Sequence, residues 1–134
     1  GWRDSPAGQA QAAYLAGRLG QGDAFAAHLA RDPAALVHAK FADLLACPAR
    51  QVMVFMSDLF GVDEVYNAPG TVDGANWSLR LRPGRDREYW GAAARGGALD
   101  LGWSLALALR SRGPAFAREH AALLARLGRG LGRP

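Results

Sequence analysis

The residues best suited to chemistry lie in a polar stretch, 59–83, and just before it. Asn67 carries a donor and an acceptor on one amide, which matches a sugar hydroxyl that both gives and takes a proton. Two residues on, Pro69-Gly70 closes a tight turn: proline presets its own φ and glycine permits φ > 0. Such a turn can hold Asn67 against a ligand at low entropic cost, although Asn-X-Pro-Gly is also common as a plain turn. Tyr66 and Trp77 can stack on the apolar face of a sugar ring, and Trp77 equally suits a core position. Asp58, after Ser57, can accept hydrogen bonds from hydroxyls or cap a short turn at 59–61.

Other chemistries find less support. The twelve carboxylates fall mostly at expected helix caps (Asp4, Asp23, Asp32) or in loops (Asp63, Glu64, Asp73). Glu88 and Glu119 sit on expected helices, and no pair has a spacing that forces convergence. His28, His38 and His120 fall on three different helices without ligand spacing, so no metal is expected. There is no glycine-rich phosphate loop, and no cofactor is expected. Cys47, the single cysteine, excludes an intrachain disulfide and suits a reducing cytoplasm. Nothing near it supplies the base or positive charge that would activate a thiolate.

The elements that must position these residues are mostly helices. Ser5 and Pro6 form a cap and first turn, starting a helix that runs to about Gly20. Asp23 starts a second helix through Arg31. Asp32-Pro33 repeats the cap-plus-proline signal, and Leu36, Val37, Lys40, Phe41, Leu44 and Leu45 follow a period near 3.6 until Cys47-Pro48. The run 51–56, Gln-Val-Met-Val-Phe-Met, is short and nearly continuous in apolar character, which predicts a strand buried on both faces, as in a parallel sheet. After the polar loop come helices at 86–95 and 100–112, divided by Gly96-Gly97. A last helix begins at Gly113-Pro114, with Phe116, Leu123, Leu124 and Leu127 on its buried side, and 128–134 forms a frayed tail.

Helix, buried strand and long polar loop in that order are the grammar of a β/α barrel, whose active sites lie on loops after the strands. One strand cannot form a sheet, so its neighbours must come from elsewhere. The expected fold class is therefore α/β, with residues 1–134 one partial domain, mostly helical around a single buried strand. A start without Met points the same way, to a piece of a longer protein.

The composition, half hydrophobic and about a fifth charged, is that of a globular chain. No apolar run approaches the roughly 20 residues of a membrane span, and Gly1-Trp2-Arg3-Asp4 has no signal-peptide features. The formal charge is +4, Lys40 is the only lysine, and the arginines are scattered along the chain. A basic helical module binding nucleic acid or a protein partner is the alternative reading. It requires arginines gathered on one face and a salt-sensitive affinity. The scattering argues against it, so neither nucleic acid nor membrane is an expected partner.

Ser57-Asp58-Leu59-Phe60-Gly61, then Asn67-Ala68-Pro69-Gly70-Thr71, then Asn76-Trp77 and Arg80 form a block at 50–82. It resembles the C-terminal signature of the 4-α-glucanotransferases (amylomaltases, or disproportionating enzymes), which read Asp-Leu-Leu/Phe-Gly, Asn-X-Pro-Gly-Thr, and Asn-Trp with an Arg shortly after. The likeness covers 34–82. Cys47-Pro48-Ala49 stands where the family has a similar approach to the strand, and Gly1-Trp2 is similar to a stretch following the family's His-Asp motif. Ser57 departs from the pattern, since many members carry glutamine there. The resemblance implies an enzyme that moves an α-1,4-glucan segment (of maltodextrin, starch or glycogen) to the 4-hydroxyl of an acceptor sugar by a retaining double displacement. It also implies the C-terminal part of a (β/α)8 TIM barrel, with the rest of that barrel as the missing partner. The family's catalytic carboxylates lie upstream of this block, so none is assigned here and the chain alone is expected to turn nothing over. Substrate binding is implied for Asn67, Pro69 and Gly70, with Asp58 and Trp77 supporting.

Overall fold

The computed structural model of the protein describes residues 5–128. Local signals set the helices. Helix α1 (Pro6–Arg18) starts where the Ser5 hydroxyl accepts the Gly8 N–H at 3.1 Å, with proline in the first turn. Helix α2 (Asp23–Arg31) starts one residue past Gly22, so Asp23 lies in its first turn instead of capping it. Helix α3 (Pro33–Ala46) is capped by Asp32, whose carboxylate accepts from the N–H groups of Ala34 and Ala35. A single-turn helix, α4 (Met56–Leu59), precedes the long loop. Helices α5 (Arg85–Ala94) and α6 (Leu101–Arg110) follow, and Asp100 caps the latter by accepting the Trp103 N–H at 3.0 Å.

The expected last helix is two: α7 (Pro114–Glu119) and α8 (Ala121–Gly128), interrupted at His120. Of the expected buried side, Leu124 is buried, Phe116 and Leu127 are half-buried, and Leu123 is 45% exposed. The expected tail at 128–134 lies outside the described residues beyond Gly128.

The α/β expectation is overturned. Among the described residues there are eight helices and no strand, so the fold is all-helical and not a barrel fragment. The run expected as a strand at 51–56 crosses the surface without a ladder as far as Phe55, and Met56 already begins α4. Its burial alternates: Gln51, Met53 and Phe55 face out, and Val52, Val54 and Met56 are half-covered. Met53 is 85% exposed. A strand exists only when a neighbour takes its N–H and C=O groups, and no other described segment offers that edge. The apolar run predicts two buried faces. One face is half-covered; on the other Gln51 and Met53 are open and Phe55 stacks on Tyr66.

The core lies where α1, α2, α3 and α6 meet. Leu15, Leu19, Leu29, Leu36 and Leu107 fill it, and Ala12, Ala35, Ala39, Ala42 and Ala108 let the helices approach closely. Helix α3 packs on α6, α1 on α2, and α6 on α8. At the last contact a Cβ built on Gly102 would lie 3.1 Å from the Leu127 carbonyl oxygen, so any side chain there would make α8 give by a few tenths of an ångström.

Tyr89, on α5, ties that helix to the start of α6. Its hydroxyl donates to the Leu99 carbonyl at 2.8 Å and accepts the Leu101 N–H at 3.2 Å, and the residue is 4% exposed. Burial pushes the phenol above its ordinary value; the Leu101 N–H pulls it partly back and the Asp100 charge raises it further. The protonated form is thus favoured by folding. Its contribution is complete below the ordinary tyrosine range near ~10 and disappears as pH rises through the raised folded value. Tyr89→Phe should cost about 1–3 kcal/mol at neutral pH. The variant should also lose stability less steeply above pH ~10. Urea denaturation of both proteins across that window checks it, and parallel alkaline profiles would refute the assignment.

Candidate functional site

Helix α4 and the loop after it form one hydrogen-bonded unit. Asp58 sits in the only turn of α4, and its carboxylate accepts the Phe55 N–H at 3.3 Å. It remains exposed, while its neighbour Ser57 is 1% exposed. The Ser57 hydroxyl accepts the Tyr66 hydroxyl at 2.5 Å, and the Tyr66 ring stacks on Phe55 with centroids 4.7 Å apart. This clamp joins the beginning of the Asn-X-Pro-Gly turn to α4. On the other side, the Leu99 N–H donates to the Leu59 carbonyl at 2.7 Å and ties α4 to the α5–α6 connection.

The turn itself follows from its residue types. The Thr71 N–H donates to the Ala68 carbonyl at 3.2 Å, with Pro69 and Gly70 between them and Gly70 at φ 81°. That is a type II turn, in which the third residue must accept a positive φ. The Thr71 hydroxyl donates to the same carbonyl at 2.8 Å.

Asn76 holds the turn from across the loop. Its Oδ1 accepts the Ala68 N–H at 2.8 Å, and its Nδ2 donates to the Thr71 carbonyl and hydroxyl at 3.0 and 3.1 Å. Asp73 in turn accepts the N–H groups of Ala75 and Asn76 at 2.8 and 3.2 Å. Asn and Asp can replace backbone partners in this way wherever a loop has no ladder. In the sequence Asn76 stands out only as a motif match. Its spacing from Ala68 and Thr71 gives no sign that one amide satisfies both ends of the turn.

The next residue is strained. Trp77 has φ 62°, the only non-glycine residue with positive φ among those described. Its N–H donates to the Tyr66 carbonyl at 2.6 Å, and the Arg80 guanidinium donates to the Trp77 carbonyl at 2.6 Å. A left-handed conformation costs a bulky residue about 1–2 kcal/mol and persists only where surrounding bonds over-determine it. The indole of Trp77, for which a core position was the competing expectation, is instead 61% exposed.

The five residues expected to bind sugar are thus not all in one place. Asn67 is half-buried with no side-chain hydrogen bond among the described residues, Pro69 and Gly70 are exposed at the turn, and Trp77 follows the Asn76 staple. Asp58 lines a separate shallow cavity of about 230 Å³ with Val37, His38 and Leu99, which Asn67, Pro69, Gly70 and Trp77 do not line. Tyr66, offered as a second stacking ring, has one face covered by Phe55.

No cluster of three or more histidine, cysteine or acidic residues able to hold a metal occurs among the described residues. None of the described helices is long and apolar enough to cross a membrane. No protein-family model, curated protein or solved structure matches the chain.

Proposed function

We propose that this chain is part of a 4-α-glucanotransferase and contributes a glucan-binding loop, with the catalytic carboxylates lying outside it. Asn67 offers the amide to sugar hydroxyls, the Pro69-Gly70 turn holds it in place, and Trp77 lies against the apolar face of a ring. Asp58 sits at the base of this loop. The supporting observation is the exposed indole of Trp77 held at positive φ. A loop that keeps a large aromatic both strained and open to solvent, beside an amide with no hydrogen-bond partner among the described residues, is built for a ligand with hydroxyls and a flat apolar face. The order of the motif at 57–80 supplies the substrate class.

Titration of the chain with maltoheptaose, followed by tryptophan fluorescence and amide chemical shifts, tests this. Saturable changes confined to residues 66–77 are expected. Asn67→Ala should weaken binding about tenfold, the worth of a lost hydrogen-bonding amide of ~1.4 kcal/mol. Trp77→Ala should remove most of it, and Arg118→Ala should change nothing. Absence of saturation at tens of millimolar sugar would overturn the reading. Glucose release from maltotriose by the chain alone would overturn the placement of the chemistry elsewhere.

The all-helical fold lends some weight to the alternative, a basic helical module for nucleic acid or a partner protein. Affinity for a duplex that falls steeply with salt, at residues outside 66–77, would favour that alternative over the sugar loop.

A further inference from the structure

Arginine side chains gather at one place that the glucan loop does not use. Arg82, at the end of the loop, and Arg85, Arg87 and Arg95, on and just after α5, line an open cleft of about 440 Å³ whose only carboxylate is Glu88. Four guanidiniums against one carboxylate leave three positive charges uncompensated in the lining. Glu88 is itself taken up: it accepts from Arg82 at 2.8 Å and from Arg85 at 3.2 Å. Arg85 is further held with its guanidinium 3.9 Å above the Phe60 ring and is the least exposed of the ion-paired arginines here. Arg87 and Arg95 make no ion pair among the described residues. Asp86, on the same helix, is exposed and outside the lining.

All four arginines border the same cleft. A Cβ on Gly91 would stand 3.2 Å from the Arg95 guanidinium, which therefore lies back over the preceding turn of α5. One guanidinium is fixed by stacking and pairing, and two carry unspent charge. Planar N–H forks of this kind bind phosphate oxygens in pairs. The lining is one concave site, unlike the extended stripe that follows a nucleic-acid backbone.

We propose that this cleft is a binding site for a phosphate group, either inorganic phosphate or a sugar phosphate monoester. It is separate from the glucan loop and does not depend on the glucanotransferase reading. Arg87 and Arg95 are the main ligands, and Arg85 is a fixed third donor.

The test follows the arginine Nε–Hε resonances of the full chain by NMR. Inorganic phosphate, then glucose 6-phosphate, is added with ionic strength held constant by sodium chloride. Saturable shifts at Arg82, Arg85, Arg87 and Arg95 are expected. Arg87→Ala and Arg95→Ala should each weaken binding about tenfold, as loss of a charge-assisted bond does, while leaving the helical circular dichroism unchanged. Arg118→Ala should have no effect. Tighter binding of the sugar phosphate identifies the monoester as the ligand, and equal binding identifies free phosphate. Shifts that do not saturate, that chloride reproduces, or that Arg118→Ala weakens as much as Arg95→Ala would overturn the proposal. So would a short RNA that shifts arginines outside the cleft as strongly as those within it.

Discussion

Leu19→Ala should destabilise the protein by about 2–5 kcal/mol, the usual result of emptying a fully buried leucine site. Leu19 is 0% exposed at the C-terminal end of α1, and its neighbours in the core include several alanines. Alanines on helices cannot reach into a vacated volume, so little of the cavity would collapse. Against a folding free energy of about 5–15 kcal/mol for a domain, that loss removes a large part of the margin. Circular dichroism against urea measures it. A midpoint shift equivalent to less than 1 kcal/mol, at unchanged slope, would mean that α1 is not seated on the core as described. Tyr14→Ala, on the 59% exposed face of the same helix, is the control and should stay within about 0.5 kcal/mol.

His38→Phe is the second large effect, and it tests how α3 and α6 are joined. A backbone N–H can only donate, so the Asp100 N–H at 2.8 Å requires a lone pair on His38 Nε2. The ring proton then lies on Nδ1, which faces the Ala34 carbonyl at 2.6 Å. Trp103 meets the ring edge-on at 4.6 Å between centroids. Phenylalanine keeps the ring contact and removes the acceptor for a buried N–H, at an expected cost of about 1–3 kcal/mol. Faster hydrogen exchange at Asp100 and Leu101, with α1 and α2 protected as before, is the local signature. Uniform loss of protection would show that the histidine acts through packing instead. His38 sits 7% exposed on the buried face of α3, so the sequence presented it as an ordinary helical position. Only the fold brings it to residue 100.

The candidate site was legible in part for the same reason. The Pro69-Gly70 turn could be read directly, because its type depends on the φ angles of two adjacent residues. Asp58 had two open roles. The structure shows neither directly: the carboxylate accepts the Phe55 N–H at the start of α4, not an N–H of the 59–61 turn, and remains exposed. Trp77 was weighed between core and surface, and its exposure was decided by bonds to Tyr66 and Arg80 that no spacing announces. The clamp of Tyr66 on Ser57 and Phe55 and the staple by Asn76 were not foreseen, since each joins residues five to eleven positions apart through an irregular backbone.

By itself the sequence determined where α1, α3 and α6 begin. Ser5-Pro6, Asp32-Pro33 and Asp100 each place an acceptor within three residues of the N–H groups it satisfies, and such short-range bonds form whatever else surrounds them. It also determined the turn at Pro69-Gly70. Tertiary structure alone decided the fate of the apolar run at 51–56. A strand borrows its hydrogen bonds from a neighbour, and the same residues with no edge beside them become an extended surface segment running into a single turn of helix. It also decided which histidine nitrogen carries the proton, since the Asp100 N–H that His38 accepts lies 62 residues further along the chain. Helix caps act within one turn, whereas sheets and buried acceptors require a second element to arrive.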